Sequence, residues 1–329
     1  MIQKFGRIKL GHFPTPIEYL ENLTHYLNGP KIYIKRDDCT GLATGGNKTR
    51  KLEFLLSDAV KNQANLIVTV GAVQSNHARQ TAAACAMLNL KCLIILEQRL
   101  DNAPEIYMTS GNIFLNKLFG ADIVFCPKDC SLEDFAKKLI KKKEDEGNRT
   151  YYIPVGGSNH IGELGYIECM REITEYDKNN TFTHIILASG SGGTHSGTIV
   201  GKKYYNHKSK ILGISVKDKK KDQEQKVFQL VKDACSYIQC DHPSKDEVKV
   251  FDNYVGDGYG VPTKGMKEAL KLMAIKEAIL LDPVYSGKAF DGLLDLVSKK
   301  YFKNTDKLLF IHTGGSVSLY AYEWAFRPL

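Results

Sequence analysis

The chain has 329 residues, 43% hydrophobic and 25% charged, a composition that is typical of folded globular proteins and excludes an extended disordered chain. Its formal net charge is +8, from 45 basic and 37 acidic residues. The lysines concentrate in two clusters, 137–143 and 217–221, which lack the arginines and stacking aromatic residues of a nucleic-acid surface. We therefore expect solvated faces there and no nucleic-acid partner.

The sequence shows no targeting, membrane or metal pattern. The first seven residues contain no long apolar run, so we expect no secretory signal. Apolar runs such as 66–70 and 92–96 are too short to span a bilayer. The closest pair of the eight cysteines, Cys126 and Cys130, has no second pair or histidine cluster to complete a zinc site. These features predict a cytoplasmic protein without metal, whose reduced cysteines are mostly small buried apolar residues.

Short β-branched runs alternate with amphipathic segments along nearly the whole chain. Strands are predicted over residues 31–35, 66–71, 92–96, 122–126, 151–154, 184–188, 211–216 and 308–312. Helices are predicted over residues 48–61, 77–89, 103–119, 131–146, 161–177, 196–206, 223–238, 264–278 and 288–300. The first of these helices has a clear period, because Leu52, Leu55, Leu56 and Val60 recur at three- and four-residue steps. This alternation predicts parallel sheets built from βαβ units, with functional loops at the carboxyl ends of the strands.

The first polar loop, residues 44–51, presents Lys48 after two glycines at the start of a helix. It is close to a nucleotide-binding P-loop, but Asn47 stands between Gly46 and Lys48, and no strand leads directly into Gly41. Such a loop brings its backbone close to a ligand, and the positive end of the helix favours a neutral amine that attacks an aldehyde. On this loop alone, an exposed lysine in a glycine-rich turn is the favoured alternative.

The second polar loop, residues 71–77, follows the strand predicted over 66–71. Ser75 or Asn76 would cap the next helix, and alone this structural interpretation is favoured. The same Ser-Asn pair also supplies hydrogen bonds to a carboxylate or phenolate oxygen. We expect His77 to be structural.

The third polar loop, residues 189–194, reads Ser-Gly-Ser-Gly-Gly-Thr between a strand and a helix. The backbone N–H groups of such a loop, its hydroxyls and the helix dipole bind a phosphate dianion. A dinucleotide fingerprint would need glycine where the chain has His195, so a phosphate monoester is favoured over NAD. One ligand with an aldehyde, a phenolic oxygen and a phosphate would use all three loops, and pyridoxal 5′-phosphate (PLP) carries these groups.

Six motifs, three of them in the polar loops described above, occur in an order that matches a known family. They are residues 45–53 (Gly-Gly-Asn-Lys-Thr-Arg-Lys-Leu-Glu), 74–77 (Gln-Ser-Asn-His), 156–159 (Gly-Gly-Ser-Asn), the 189–194 loop, 282–285 (Asp-Pro-Val-Tyr) and 312–315 (His-Thr-Gly-Gly). The chain resembles, from Phe13 to Leu319, the D-cysteine desulfhydrase and 1-aminocyclopropane-1-carboxylate (ACC) deaminase family of PLP enzymes. The resemblance implies an α/β protein of fold type II, like the tryptophan synthase β-subunit, with two domains and mainly parallel sheets. Residues 1–49 and 161–329 would form the large PLP-binding domain, and residues 50–160 the small domain.

The resemblance also implies roles for individual residues. Lys48 would hold the cofactor as a Schiff base and later transfer a proton, and Asn76 would hydrogen-bond its 3′ oxygen. Ser75 would contact the substrate carboxylate, while Tyr259 and Tyr285 would line the substrate pocket. The phosphate would be held by Ser189, Gly190, Ser191, Gly192, Gly193 and Thr194. Without the resemblance, both tyrosines would be interpreted as core aromatic residues.

Two positions separate the subfamilies. ACC deaminases carry glutamate directly after the tyrosine and leucine in the His-x-Gly-Gly motif, where this chain has Ser286 and Thr313. A hydroxyl near the ring nitrogen makes a milder electron sink than a carboxylate, sufficient for α-proton loss and expulsion of sulfide. The resemblance therefore implies a lyase that converts D-cysteine to pyruvate, hydrogen sulfide and ammonia. It leaves open which of the two hydroxyls contacts the ring nitrogen.

Several alternatives stay open at this point. An ACC deaminase or a cysteate sulfo-lyase would share the first motifs, and a PLP-binding storage protein would bind cofactor without turnover. An NAD-dependent dehydrogenase is disfavoured by His195. The resemblance further implies a small amino-acid substrate and a homodimer, and no membrane partner.

Overall fold

The computed structural model describes residues 2–327, in which strands and helices alternate. The strands are β1 (Ile17–Tyr19), β2 (Lys31–Arg36), β3 (Leu66–Ala72), β4 (Lys91–Glu97), β5 (Asp122–Phe125), β6 (Thr150–Ile153), β7 (His184–Ser189), β8 (Lys210–Ser215), β9 (Lys249–Phe251) and β10 (Lys307–His312). The α-helices are α1 (Glu21–Leu27), α2 (Lys48–Lys61), α3 (Asn76–Met87), α4 (Glu105–Thr109), α5 (Asn112–Leu118), α6 (Leu132–Asp145), α7 (Leu164–Tyr176), α8 (Gly193–Tyr204), α9 (Lys220–Ile238), α10 (Lys264–Glu277), α11 (Ser286–Ser298) and α12 (Ser318–Ala321).

The strands form two sheets. One has six strands in the order β1-β2-β10-β7-β8-β9 and is parallel except for the antiparallel β1–β2 pair. The other has four parallel strands in the order β5-β4-β3-β6. The predicted α/β class with mainly parallel sheets is therefore confirmed. All strands of the smaller sheet lie within residues 50–160, while the bounds of the two domains stay a prediction.

Helices cover both faces of each sheet, because successive side chains of a strand point to opposite faces. In β10, Leu309 and Ile311 join a core cluster with α7, α8 and α9, whereas Leu308 and Phe310 join one with α1, α10 and α11. The smaller sheet packs in the same way, with α2 and α3 on one face and α6 on the other. Burying each such large apolar side chain contributes roughly 1.5–3 kcal/mol. The core clusters on both faces of each sheet hold the strands in place, and with them the carboxyl ends from which the polar loops begin.

The helix bounds differ from the sequence-based prediction at two informative places. The helix predicted over 103–119 is divided into α4 and α5, because Gly111 has a φ of +64° that an α-helix does not allow. The helix predicted over 196–206 begins earlier, at Gly193, so its N-terminus lies directly in the glycine-rich loop. The short elements β1, β9, α1 and α12 were not predicted, since segments of three to seven residues carry too little periodicity.

Two further properties concern partners and thiols. Within residues 2–327, no helix has the length and apolar character needed to cross a membrane. The same residues contain no cluster of three histidine, cysteine or acidic side chains arranged to hold a metal ion. All eight cysteines are free thiols, and the buried ones are Cys85, Cys92, Cys126, Cys169 and Cys235.

Candidate active site

A cavity lies at the carboxyl ends of β3, β7 and β10, beside the first residues of α2, α3 and α8. The predicted site residues that line it are Lys48, Asn76, Gly190, Ser191, Gly192, Thr194, Tyr285 and Thr313. A wider cleft of about 1350 Å³ contains Ser75 and Tyr259, and it shares Lys48 and Tyr285 with the cavity. The other predicted residues, Ser189, Gly193 and Ser286, line neither space. The structure thus brings most of the predicted residues together.

The loop before Lys48 is held in one conformation by close backbone contacts. A side chain at Gly45, whose φ is +74°, would begin 1.8 Å from the main-chain oxygen of Asp38. The Gly45 carbonyl accepts a hydrogen bond from Arg79 Nη2 at 2.7 Å, and the hydroxyl of Thr40 bonds both the N–H and the carbonyl of Gly46. These contacts fix the start of α2, so the lysine side chain leaves the helix in a defined direction.

The Lys48 amine has the properties of a nucleophile. Burial lowers its pKa to about 8, so about a tenth of the amine is neutral at pH 7, far more than for an ordinary lysine. Sequence reasoning attributed the lowered pKa to the helix end, whereas the structure attributes it to desolvation. The amine lies 3.3 Å from the place where a side chain at Gly156 would begin, and this glycine therefore leaves room for it.

Asn76, the first residue of α3, is oriented by two residues that the sequence did not single out. Its side-chain oxygen accepts hydrogen bonds from Asn112 Nδ2 at 2.8 Å and from the Ser318 hydroxyl at 3.3 Å. Its amide N–H groups consequently remain able to donate to an oxygen in the cavity. Asn112 and Ser318 come from distant parts of the chain, so no local pattern could have identified them.

Ser75 is the N-cap of α3, because its hydroxyl accepts the Ala78 N–H at 3.1 Å. A capping hydroxyl still has its own proton to donate. Since Ser75 also lines the cleft, its structural and its predicted substrate-binding roles are compatible. The first N–H groups of α3 add donors at the same point.

The glycine-rich loop after β7 leads into the N-terminus of α8. Gly192 has a φ of +95°, which favours glycine, and a side chain there would also begin 2.8 Å from Leu230 Cδ1. The first N–H groups of α8 and the positive end of its dipole make the loop suitable for a phosphate. The Thr194 hydroxyl accepts a hydrogen bond from Asn47 Nδ2 at 2.9 Å, which ties this loop to the lysine loop.

Ser189 supports the loop from below. Its hydroxyl accepts a hydrogen bond from Gln223 Nε2 at 2.8 Å and pairs with His195 Nδ1 at 3.1 Å. Gln223 also donates to the carbonyl of Gly190 at 3.1 Å. The Ser189 hydroxyl is therefore bonded beneath the cavity, and its predicted contact with a phosphate stays a prediction.

Lys51 is a second lysine beside the glycine-rich loop. Its buried amine donates to the Gly156 carbonyl at 3.1 Å and to the Ser158 hydroxyl at 3.2 Å. Ser158 in turn donates to the Ser191 hydroxyl at 2.8 Å and accepts the Gly193 N–H at 3.2 Å. Burial, and next the charge of Lys48, hold the pKa of Lys51 well below its ordinary value. Sequence reasoning named Lys51 only within a motif, although its three-residue spacing from Lys48 already placed both on one helix face.

His77 lies in the cavity wall between these groups. Its Nε2 pairs with the Thr69 hydroxyl at 2.8 Å, which fixes the ring. Burial, and then the neighbouring charges of Lys48 and Lys51, lower the imidazole pKa well below its ordinary value, so the ring is neutral.

The two hydroxyls that separate the subfamilies have different surroundings. The Ser286 hydroxyl is fully buried, donates to Asp282 Oδ1 at 2.8 Å and accepts the Asp282 N–H at 2.7 Å. Thr313 lines the cavity. Asp282 also accepts backbone N–H bonds from residues 284–286, which shapes the turn that leads into α11, and burial raises its pKa to about 6. Of the two hydroxyls, the one on Thr313 is available to a ligand.

Tyr259 and Tyr285 meet at the junction of cavity and cleft. Their hydroxyls hydrogen-bond each other, and their rings pack edge to face with centroids 5.8 Å apart. Burial raises the pKa of Tyr285 to about 12 and that of Tyr259 well above its ordinary value. Both phenols therefore stay protonated at neutral pH and can donate hydrogen bonds. Both tyrosines line the cleft, and their rings also pack against a hydrophobic core cluster of the protein.

Fold and site together define a class of protein. A partly neutral lysine, an oriented amide, a hydroxyl and a glycine-rich helix N-terminus surround one cavity at the carboxyl ends of parallel strands. These groups fit an aldehyde, a phenolic oxygen, a ring nitrogen and a phosphate, so the site is suited to a phosphorylated pyridine aldehyde cofactor. The family model described as pyridoxal-phosphate dependent enzyme matches residues 8–314, and the chain belongs to this family. PLP is its cofactor.

Solved structures agree with this assignment. The crystal structure of an ACC deaminase homologue is 36% identical, covers 98% of this chain and 96% of its own, and superposes with a TM-score of 0.90. A hydrogen sulfide-producing enzyme from Fusobacterium nucleatum is 18% identical, with coverages of 93% and 96% and a TM-score of 0.63. The processed form of threonine deaminase isoform 2 from Solanum lycopersicum is 18% identical, with coverages of 100% and 92% and a TM-score of 0.69. The two structures at 18% identity share the fold. The ACC deaminase homologue, at 36% identity, supports an enzyme of the ACC deaminase and desulfhydrase type.

Proposed function

We propose that this protein is a PLP-dependent carbon–sulfur lyase that converts D-cysteine and water to pyruvate, hydrogen sulfide and ammonia. The observation that carries this proposal is that Thr313, which stands where ACC deaminases carry leucine, places a hydroxyl-bearing residue in the cavity wall. The other position that distinguishes the deaminases, Ser286, has its hydroxyl bound to Asp282. No carboxylate from these two positions is therefore available to keep a ring nitrogen protonated.

PLP supplies an electron sink that accepts the electron pair released from the substrate α-carbon. Lys48 is the proposed covalent anchor and the acceptor of the α-proton, because its lowered pKa leaves a neutral amine available. Asn76 is proposed to donate to the 3′ oxygen. Ser75 and the α3 N-terminus are proposed to hold the substrate carboxylate, which orients the α-carbon toward Lys48.

The phosphate is proposed to lie against Gly190, Ser191, Gly192, Gly193 and Thr194, with Lys51 as a nearby cation. Ser158, which accepts a hydrogen bond from Lys51, bonds Ser191 and Gly193 and so holds the loop in the shape that receives a dianion. Tyr259 and Tyr285 are proposed to contact the departing sulfur. Two protonated phenols in mutual contact can donate one hydrogen bond to it while keeping the other between themselves.

We propose a large domain of residues 1–49 and 161–329 and a small domain of residues 50–160, in keeping with the strands of the smaller sheet. A homodimer in the cytoplasm is proposed from the family resemblance alone. Light scattering of the purified holoenzyme tests the dimer, and a monomer at micromolar concentration would contradict it.

The test of the reaction is a steady-state comparison of D-cysteine, L-cysteine, cysteate and ACC with the holoenzyme. We expect pyruvate and sulfide from D-cysteine to exceed all other products in kcat/KM. Faster 2-oxobutanoate release from ACC would instead make the protein a deaminase, an alternative favoured by the similarity to an ACC deaminase homologue. Preference for cysteate would make it a sulfo-lyase, and bound PLP without turnover of any substrate would indicate a storage protein.

A further inference from the structure

Arg99 is a cation in the substrate cleft that the proposed mechanism does not use. It follows β4 and lines the same cleft as Lys48, Ser75, Tyr259 and Tyr285. Its guanidinium lies over the ring of Tyr259, 5.0 Å from the centroid. Since Tyr259 bonds Tyr285, which lines the inner cavity, two aromatic rings connect Arg99 to the proposed reaction centre.

The guanidinium is only partly paired. Its Nε donates to Glu97 at 2.6 Å, and among residues 2–327 this is the single hydrogen bond of the Arg99 side chain. A guanidinium has five N–H donors, so both terminal amino groups remain able to bind an anion. The Arg99 side chain is 20% exposed and Glu97 is 39% exposed, so the arginine is the deeper of the two charges.

The surroundings of Arg99 add positive charge. Lys217 lines the same cleft, and its pKa is lowered by burial and then by the charge of Arg99, which shows that the two cations are close. Apart from Lys48, the cations that line the cleft, Arg99, Lys137, Lys217 and Lys226, outnumber the anions Glu97, Glu133 and Asp222. A cleft with an excess of one sign concentrates ligands of the opposite sign.

We propose that Arg99 is a specificity-determining residue that selects amino acids whose β-substituent is anionic, such as a thiolate, a sulfonate or a carboxylate. The inference rests on the proposed function for the placement of the substrate between Lys48 and the two tyrosines. In that placement the α-carboxylate lies at Ser75, and the β-substituent points toward Tyr259 and the free amino groups of Arg99. A neutral β-substituent of the same size would form only an uncharged, weaker hydrogen bond with these donors.

The test compares two nearly isosteric ligands, D-aspartate and D-asparagine, which differ in the charge of the side chain. Their dissociation constants for the holoenzyme are measured from the change in cofactor absorbance, with the L-enantiomers in parallel. We expect D-aspartate to bind about tenfold more tightly than D-asparagine, as one charge-assisted hydrogen bond would give. Arg99→Gln should remove this preference and leave D-asparagine affinity unchanged. Arg99→Lys, which keeps the charge, should restore part of it.

Lys137→Gln is the matched control, because Lys137 is a cation of the outer cleft with a 75% exposed side chain. It should retain the wild-type preference. Equal affinity of the wild type for the two ligands, or a preference that survives in Arg99→Gln, would overturn the proposal. Binding is measured without turnover, so the result is separable from the D-cysteine assay: failure of that assay alone leaves the charge preference standing.

Discussion

Two lysines one helical turn apart differ in what their amines contact. Lys51 is engaged with the Gly156 carbonyl and the Ser158 hydroxyl. Lys48 makes no side-chain hydrogen bond among residues 2–327, and it lines both the cavity and the cleft. An amine that is free of partners and partly neutral is the better nucleophile toward an aldehyde. Contacts, more than pKa values, therefore distinguish the two residues.

We predict that Lys48→Ala abolishes both turnover and covalent attachment of PLP, while PLP still binds through its phosphate. The measurement is borohydride reduction followed by mass spectrometry of peptides. In the wild type the added mass should be on Lys48. In Lys51→Ala it should remain on Lys48, even though the affinity for PLP falls. Reduction of the cofactor onto Lys51 in the wild type would show that the assignment is wrong.

Much of this site is visible in the sequence because it lies in contiguous loops. The lysine loop opens a predicted helix, the Ser-Asn pair and residues 189–194 each follow a predicted strand, and the structure brings the three to one cavity. The sequence does not reveal the hydrogen-bond partners of these site residues, because those partners come from distant segments and meet them only after folding. Asn112 and Ser318 orient Asn76, and Gln223 supports Ser189 from another helix. Each of these contacts joins residues at least 34 positions apart along the chain.

At the scale of elements, the glycine-rich loop and α8 act together. Starting α8 at Gly193 brings its N-terminal N–H groups into the loop, and the positive φ of Gly192 turns the backbone toward them. The sequence-based start at residue 196 was later because Gly193 and Thr194 are poor helix formers. Tertiary contacts override this weak propensity, since Ser158 binds the Gly193 N–H and Asn47 binds the Thr194 hydroxyl.

We predict that Gly192→Asp strongly reduces PLP affinity, because it adds a negative charge where the phosphate is proposed to lie. Gly192→Ala isolates the steric part, since its methyl group would begin 2.8 Å from Leu230 Cδ1. Equilibrium titration of the apoenzymes with PLP measures both. The matched control is Gly147→Ala, at a φ of +87° with no atom within 4 Å of the new methyl group. Its backbone strain should be similar, about 1 kcal/mol, with unchanged PLP affinity. An unaltered PLP titration of Gly192→Asp would contradict the phosphate placement.

At the scale of the whole molecule, a buried ionic cluster joins the large sheet to the helix that carries Lys48. Arg50, in α2, donates to both oxygens of Asp37, just after β2, and to both oxygens of Glu172 in α7. Lys35 donates to Glu172 at 2.7 Å, and the Tyr166 hydroxyl donates to Asp37 at 2.6 Å. The cluster could not be predicted from the sequence, because its members come from segments far apart along the chain and meet only after folding. It anchors α2 two residues from the proposed reactive amine.

The pH dependence of stability follows from Asp37. Burial by itself raises the pKa of this carboxyl, but the charge and hydrogen bonds of Arg50 outweigh it, so the pKa lies below its ordinary value. A carboxylate with a lowered pKa in the folded state stabilises the protein above the pKa of the unfolded chain, about 4. This stabilisation is lost as the pH falls through the lower pKa of the folded state. Glu172 contributes in the same direction, because Arg50 and Lys35 overcome the effect of its burial.

We predict that Asp37→Asn lowers the free energy of unfolding at pH 7 by roughly 3–5 kcal/mol, because it leaves Arg50 with an excess of buried positive charge. Urea unfolding of the holoenzymes at several pH values measures the difference. It should be largest at pH 7, begin to narrow below about pH 4, where the carboxyl of the unfolded chain becomes protonated, and continue to narrow until the pH passes the lower pKa of the folded state. The control is Asp145→Asn, which breaks the exposed pair with Lys141 and should leave the free energy of unfolding nearly unchanged at every pH. If both variants unfolded at the same urea concentration at pH 7, the buried cluster would not stabilise the fold.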